Sequence, residues 1–122
     1  MKGAYVLLIR LDADREIGIG KLGRMRFRRG YYAYVGSALN GIEPRILRHL
    51  RSKKKMHWHI DYFLRRGKIV EIHCFSSGRR EECRIAERIQ ERFSSVAGFG
   101  CSDCKCLGHL FYSPRLPDLR PG

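Results

Sequence analysis

The sequence lacks any apolar run near the roughly 20 residues needed to cross a bilayer. No secretory leader is expected either, because Asp12 and Asp14 interrupt the only early apolar run. A cytoplasmic location is the expectation. No internal repeat and no interdomain linker is visible. The five cysteines are an odd count, and Cys101, Cys104 and Cys106 lie within six residues, which argues against a secreted disulfide framework. Acidic residues are scarce: Asp and Glu total 12 against 25 Lys and Arg, for a formal net charge of +13. Such an excess favours a polyanionic partner, DNA before RNA. A membrane partner is not expected, since no long amphipathic basic helix is evident. The length of 122 residues fits one domain with a single modest core. Its expected bounds are 1–113, followed by a Pro-rich tail at 114–122.

Residues 3–11, GAYVLLIRL, read as a buried strand. Asp12 to Glu16 reads as a charged turn, and 17–29 as a Gly- and Arg-rich hairpin leading back into the sheet. Arg24, Arg26 and Arg28 alternate, so they share one side of a strand. They suit a solvated edge that resists mispairing, or a surface that tracks phosphates. The chain is organised around 30–62, GYYAYVGSALNGIEPRILRHLRSKKKMHWHIDY. Tyr32 and Tyr34 share a strand face, and Gly36 and Ser37 are expected to end that strand in a turn. Pro44 suits the first turn of a helix over about 43–54. Arg45, Arg48 and His49 fall on one face of it, while Ile42, Leu47 and Leu50 can pack the other side. Lys53, Lys54 and Lys55 complement the dipole at its C-terminus. A short helix at 58–66, a strand at 68–76, an amphipathic helix at 79–93 and a final strand in HLFY follow. The fold class is α+β (α/β-like), a small sheet flanked by helices.

Two clusters suggest metals. The helical stripe Ala86, Ile89 and Phe93 extends back four residues to Glu82. A carboxylate on a buried stripe needs a partner, either a cation or an arginine. Mg²⁺ or Mn²⁺ suits a lone carboxylate. Glu87 lies off the stripe and is the alternate. Cys101, Cys104, Cys106 and His109 could hold Zn²⁺, or they could be reduced, packed thiols beside a hydrogen-bonding histidine. Cys74 and Cys83 have apolar neighbours and are expected in the core.

Four ordered motifs carry a resemblance. Gly3-Ala4-Tyr5 and Tyr34-Val35-Gly36 resemble the two strand motifs that name the GIY-YIG nucleases, and Arg45 to His49 resembles that family's catalytic helix. The match is closest to a small prokaryotic branch of unassigned function, sometimes fused to an endonuclease-III-type DNA glycosylase. That branch's hallmarks stand here in order: YVGSA at 34–38, HWHIDY at 57–62, Glu82-Cys83, and SDCKC with His109. The resemblance implies a small central, largely antiparallel sheet with about three helices. It also implies a metal-dependent DNA endonuclease of repair or processing. Tyr5 would be the general base, Tyr34 would align the phosphate or water, and Arg45 would bind the scissile phosphate. Glu82 would hold the divalent cation. The polar residue near the helix end is assigned to His57, with His59 and His49 weighed against it. Arg24, Arg26, Arg28, Arg48, Lys53, Lys54 and Lys55 would contact nucleic acid. The alternatives are a non-catalytic nucleic-acid-binding module of the same fold, and a zinc-dependent interaction domain.

Overall fold

The computed structural model describes residues 3–38, 42–51, 59–76, 93–96 and 110–116. Its strands are β1 (Gly3–Leu11), β2 (Arg15–Gly18), β3 (Arg24–Phe27), β4 (Gly30–Ala38), β5 (Lys68–Ser76), β6 (Ser94–Ser95) and β7 (Leu110–Ser113). Helices α1 (Ile42–Leu50) and α2 (His59–Phe63) lie between β4 and β5 in the chain. The main sheet has the order β5-β1-β4-β7-β6, with every neighbouring pair antiparallel. Strands β2 and β3 form a separate two-stranded sheet. The architecture is therefore mixed α+β with an antiparallel sheet. Two helices are described; the one expected at 79–93 falls almost wholly outside the described residues, with Phe93 in a bend. No helix among the described residues is long and apolar enough to cross a membrane.

Strand β1 is apolar along most of its length because both its faces are covered. Alternate side chains point to opposite faces. Tyr5, Leu7, Ile9 and Leu11 enter one core with Ile17, Ile19, Phe27, Tyr32, Tyr34, Ile60, Phe63 and Leu110. Val6 and Leu8 enter a second with Ala33, Val35 and Phe111, against which Phe93 packs. Each aliphatic or phenyl side chain so buried contributes about 1.5–3 kcal/mol. The strands at 3–11 and 68–76 match their sequence-based bounds.

Several expectations are corrected. The hairpin leads back into the main sheet at β4, as expected, but its strands begin at Arg15, form a sheet of their own and send Ile17, Ile19 and Phe27 into the first core. Helix α1 stops at Leu50 rather than near 54. Leu47 and Leu50 are 61% and 56% exposed, Ile46 and His49 are turned to the core instead, and the Ile42 side chain lies outside the described residues. Gly36 does not end its strand, since β4 continues to Ala38. Cys74 is exposed, because β5 pairs only with β1 among the described strands.

Candidate active site

The register of β1 on β4 sets Tyr5 opposite Gly36 and Leu7 opposite Tyr34. Tyr5 and Tyr34 are therefore diagonal neighbours on one face, within reach of long side chains. Their ring centroids lie 6.5 Å apart. The Tyr5 phenol lies across Gly36: a Cβ at that position would fall 2.5 Å from both its Cζ and its hydroxyl. The glycine is thus an opening for the ring.

Helix α1 closes the cluster. The Tyr5 hydroxyl is 2.6 Å from His49 Nε2, a hydrogen bond buried between the sheet and the helix. With Nε2 unprotonated, Tyr5 donates; in the other tautomer His49 donates to the phenol oxygen. The His49 ring is 5.4 Å from that of Tyr5 and 6.1 Å from that of Tyr34. Tyr5 is 1% exposed, His49 3% and Tyr34 8%, so the cluster lies just beneath the surface.

Arg48 supplies positive charge beside it. Its Nη1 and Nη2 donate to Asp61 Oδ1 and Oδ2 at 2.7 and 2.9 Å, a two-pronged pair joining α1 to α2. Such forks are among the stronger charge-assisted bonds. Asp61 is fully buried, whereas the Arg48 side chain stays 24% exposed. The Arg48 pKa is raised, first by the hydrogen bonds to Asp61. Burial opposes that, and the charges of Asp61, Tyr5 and Tyr34 add to it.

Of the predicted site residues, Tyr5 and Tyr34 are brought together. Arg45 precedes His49 by one helical turn, so the register sets both on one side of α1; its side chain lies outside the description. Arg48 is adjacent, but its fork holds Asp61. The sequence set His49 on one helix face with Arg45 and Arg48, but the polar role near the site was assigned to His57. His49 stands four residues after Arg45, on the side of α1 that meets Tyr5, while His57 lies outside the described residues. Tyr32, which shares the face of Tyr34, donates to the Arg28 carbonyl at 2.7 Å instead. Burial raises its pKa well above the usual phenol value, with Tyr112 adding to the rise and Arg28 opposing it. His59 is half-buried at the start of α2, and burial lowers its pKa.

In the hairpin, the three arginines part ways. Arg24 Nε donates to Glu16 Oε1 at 2.6 Å. Arg26 and Arg28 instead line a cleft with Tyr32 and Tyr112. His57, Lys53, Lys54, Lys55, Glu82, Glu87, Cys83, Cys101, Cys104, Cys106 and His109 lie outside the described residues. Among the described residues, no three His, Cys, Asp or Glu are grouped so that they could hold a metal ion. The described part of the site thus does not by itself fit a metal, and the candidate carboxylate for one is Glu82.

Comparison with known proteins gives one family: the one described as "Domain of unknown function DUF123" matches residues 4–121. No curated protein and no solved structure matches the chain.

Proposed function

The chain belongs to the DUF123 family, and we propose that it is a GIY-YIG-like phosphodiester hydrolase acting on DNA. The observation that carries this reading is the buried 2.6 Å hydrogen bond from Tyr5 to His49, with Tyr34 beside it. A free phenol holds its proton at neutral pH, since its pKa is near 10. A phenol bonded to imidazole can pass that proton on, because imidazole titrates near neutrality. Water gives its proton to the Tyr5 oxygen as Tyr5 passes its own to His49 Nε2. The hydroxide equivalent then attacks phosphorus, the P–O bond to the leaving oxygen breaks, and solvent protonates that oxygen. Tyr34 donates a hydrogen bond to the phosphate or the water. Arg45 holds the phosphate, and Arg48 adds positive charge next to both phenols. Charge stabilisation of this kind is often the largest catalytic contribution.

In this reading Glu82 holds Mg²⁺ or Mn²⁺, which would supply Lewis-acid charge on the phosphate. None of the steps above runs through it. Repair or processing of DNA is the role that fits such an activity. One observation favours a second reading: Tyr5 and His49 are almost fully buried, as they would be in a non-catalytic nucleic-acid-binding module that kept the fold.

Cleavage of duplex, nicked, branched and single-stranded DNA with Mg²⁺ or Mn²⁺ tests the choice. Wild-type protein should cut at least one of these, and Glu82→Ala should abolish cutting. Tyr5→Phe and His49→Ala should each lower the rate about 10²-fold or more, the usual scale of proton-transfer catalysis. Absence of cleavage on every substrate leaves the binding module. Full activity in Tyr5→Phe removes the proposed relay.

A further inference from the structure

Strand β3, the adjoining Arg28 and the β4–β7 pair enclose a cleft of about 160 Å³ away from Tyr5 and His49. Phe27, Tyr32, Val96 and Tyr112 supply its apolar walls, and Arg26 and Arg28 supply its charge. We propose that this cleft seats one unpaired nucleotide of a nucleic-acid strand, its base on the Arg28 guanidinium and its phosphate on Arg26. The inference rests on the nucleic-acid reading above, but not on cleavage.

Three observations build it. The first is the platform: the Arg28 guanidinium lies over the Tyr112 ring, 4.4 Å from its centroid. A planar cation held on an aromatic ring offers a flat surface on which bases stack. The second is how firmly the platform is fixed. Tyr32 donates to the Arg28 carbonyl at 2.7 Å and Tyr112 to the Arg29 carbonyl at 2.8 Å. The Arg29 amide donates to Asp14 Oδ1 at 2.7 Å. Gly30, at φ +147°, lets the Tyr112 ring come so close that a Cβ would stand 2.9 Å from it. A backbone tied at three points presents its side chains with little ordering left to lose on binding. The third is the pairing of the arginines. Among the described residues, Glu16 engages Arg24 at 2.6 Å, and no carboxylate pairs with Arg26 or Arg28.

A solvated basic edge would explain the arginines but not the aromatic walls. The size decides between ligands: sites for whole small molecules start near 300 Å³, so this cleft takes one flat group of a longer chain. Its position agrees. Tyr32 lies two residues along β4 from Tyr34, roughly 7 Å at the usual strand rise. The cleft and the Tyr5 cluster thus share strand β4, which supplies Tyr32 to the first and Tyr34 to the second.

The test is fluorescence anisotropy of the full chain with a short oligothymidine and with an abasic strand of equal length and charge. Wild-type protein should bind the strand with bases about tenfold more tightly, the scale of one aromatic or guanidinium stack. Arg28→Lys keeps the charge and removes the plane, so it should lose most of that preference. Tyr112→Leu removes the support of the plane and should do the same. Arg28 is exposed, so its variant should melt like wild type. Equal binding of the two strands, or an Arg28→Lys variant with the full preference, overturns the cleft while leaving nucleic-acid binding in place. Failure to bind either strand or a duplex of equal length at low salt overturns the nucleic-acid reading and the cleft together, and binding of the duplex alone overturns only the cleft.

Discussion

Tyr5 has room for its ring because residue 36 has no side chain. Gly36 is not among the glycines with positive φ, so its backbone does not require glycine. The approach of the Tyr5 phenol, to within 2.5 Å of where a Cβ would stand, does. Gly36→Ala should therefore cost about 1–3 kcal/mol through overpacking and displace the hydroxyl that meets His49. The same change in a Tyr5→Leu background should cost clearly less, because the smaller side chain can yield; thermal unfolding of the four proteins of this cycle measures the coupling. Equal costs in both backgrounds would mean that the demand for glycine comes from somewhere other than the ring. The sequence showed Gly36 beside Tyr34 but assigned it to a turn. Turn residues are recognised from their neighbours in the chain, whereas the contact with Tyr5 is set by pairing between Tyr5 and Gly36 on different strands. His49 was legible on the arginine face of the helix, but its partner was not, because Tyr5 is 44 residues away.

At the scale of elements, α1 and α2 are fastened to each other by Arg48 and Asp61. The two ends differ in environment, with Asp61 fully buried and Arg48 still 24% exposed. The cost of breaking the pair should be correspondingly unequal. Arg48→Met takes the guanidinium from a buried carboxylate and should cost about 3–5 kcal/mol. Asp61→Asn leaves a guanidinium that water can still reach, and should cost about 1–3 kcal/mol, the value of charge-assisted hydrogen bonds. Urea unfolding of both variants checks the order; a larger loss in Asp61→Asn would contradict this account of the lock. The strands β1 and β5 were legible at their ends because apolar and alternating patterns report burial directly. The helix was less so. Leu47 and Leu50 suggested an apolar face, but α1 turns Ile46 and His49 inward instead. A buried histidine with a hydrogen-bond partner looks polar in a sequence, and a leucine left in solvent looks like core. The hairpin was legible, but not its separateness, because local pattern shows that β2 and β3 pair and not whether another sheet receives them.

For the whole molecule, the largest signal in the sequence is also the least local one, the net charge of +13. It pointed to a polyanion without indicating where the polyanion lies. The structure divides the arginines by environment: Arg24 on Glu16, Arg48 on Asp61, Arg28 on Tyr112, and Arg26 in the cleft. A chain with so much charge should bind duplex DNA with a strong salt dependence, since each phosphate it neutralises releases a counterion. If about five phosphates are engaged, a plot of log K against log salt should have a slope near −4.5. Affinity would then fall several hundredfold between about 50 and 200 mM salt. Arg26→Ala should flatten that slope by about one unit, because it removes one phosphate contact and no base contact. Glu82→Ala should leave the slope unchanged even as it abolishes cleavage, since affinity comes mostly from cations that touch the backbone. A wild-type slope near zero would show that the excess charge meets no polyphosphate, and the DNA reading would fall with it. A steep slope unaffected by Arg26→Ala would keep the DNA and move its path away from the hairpin.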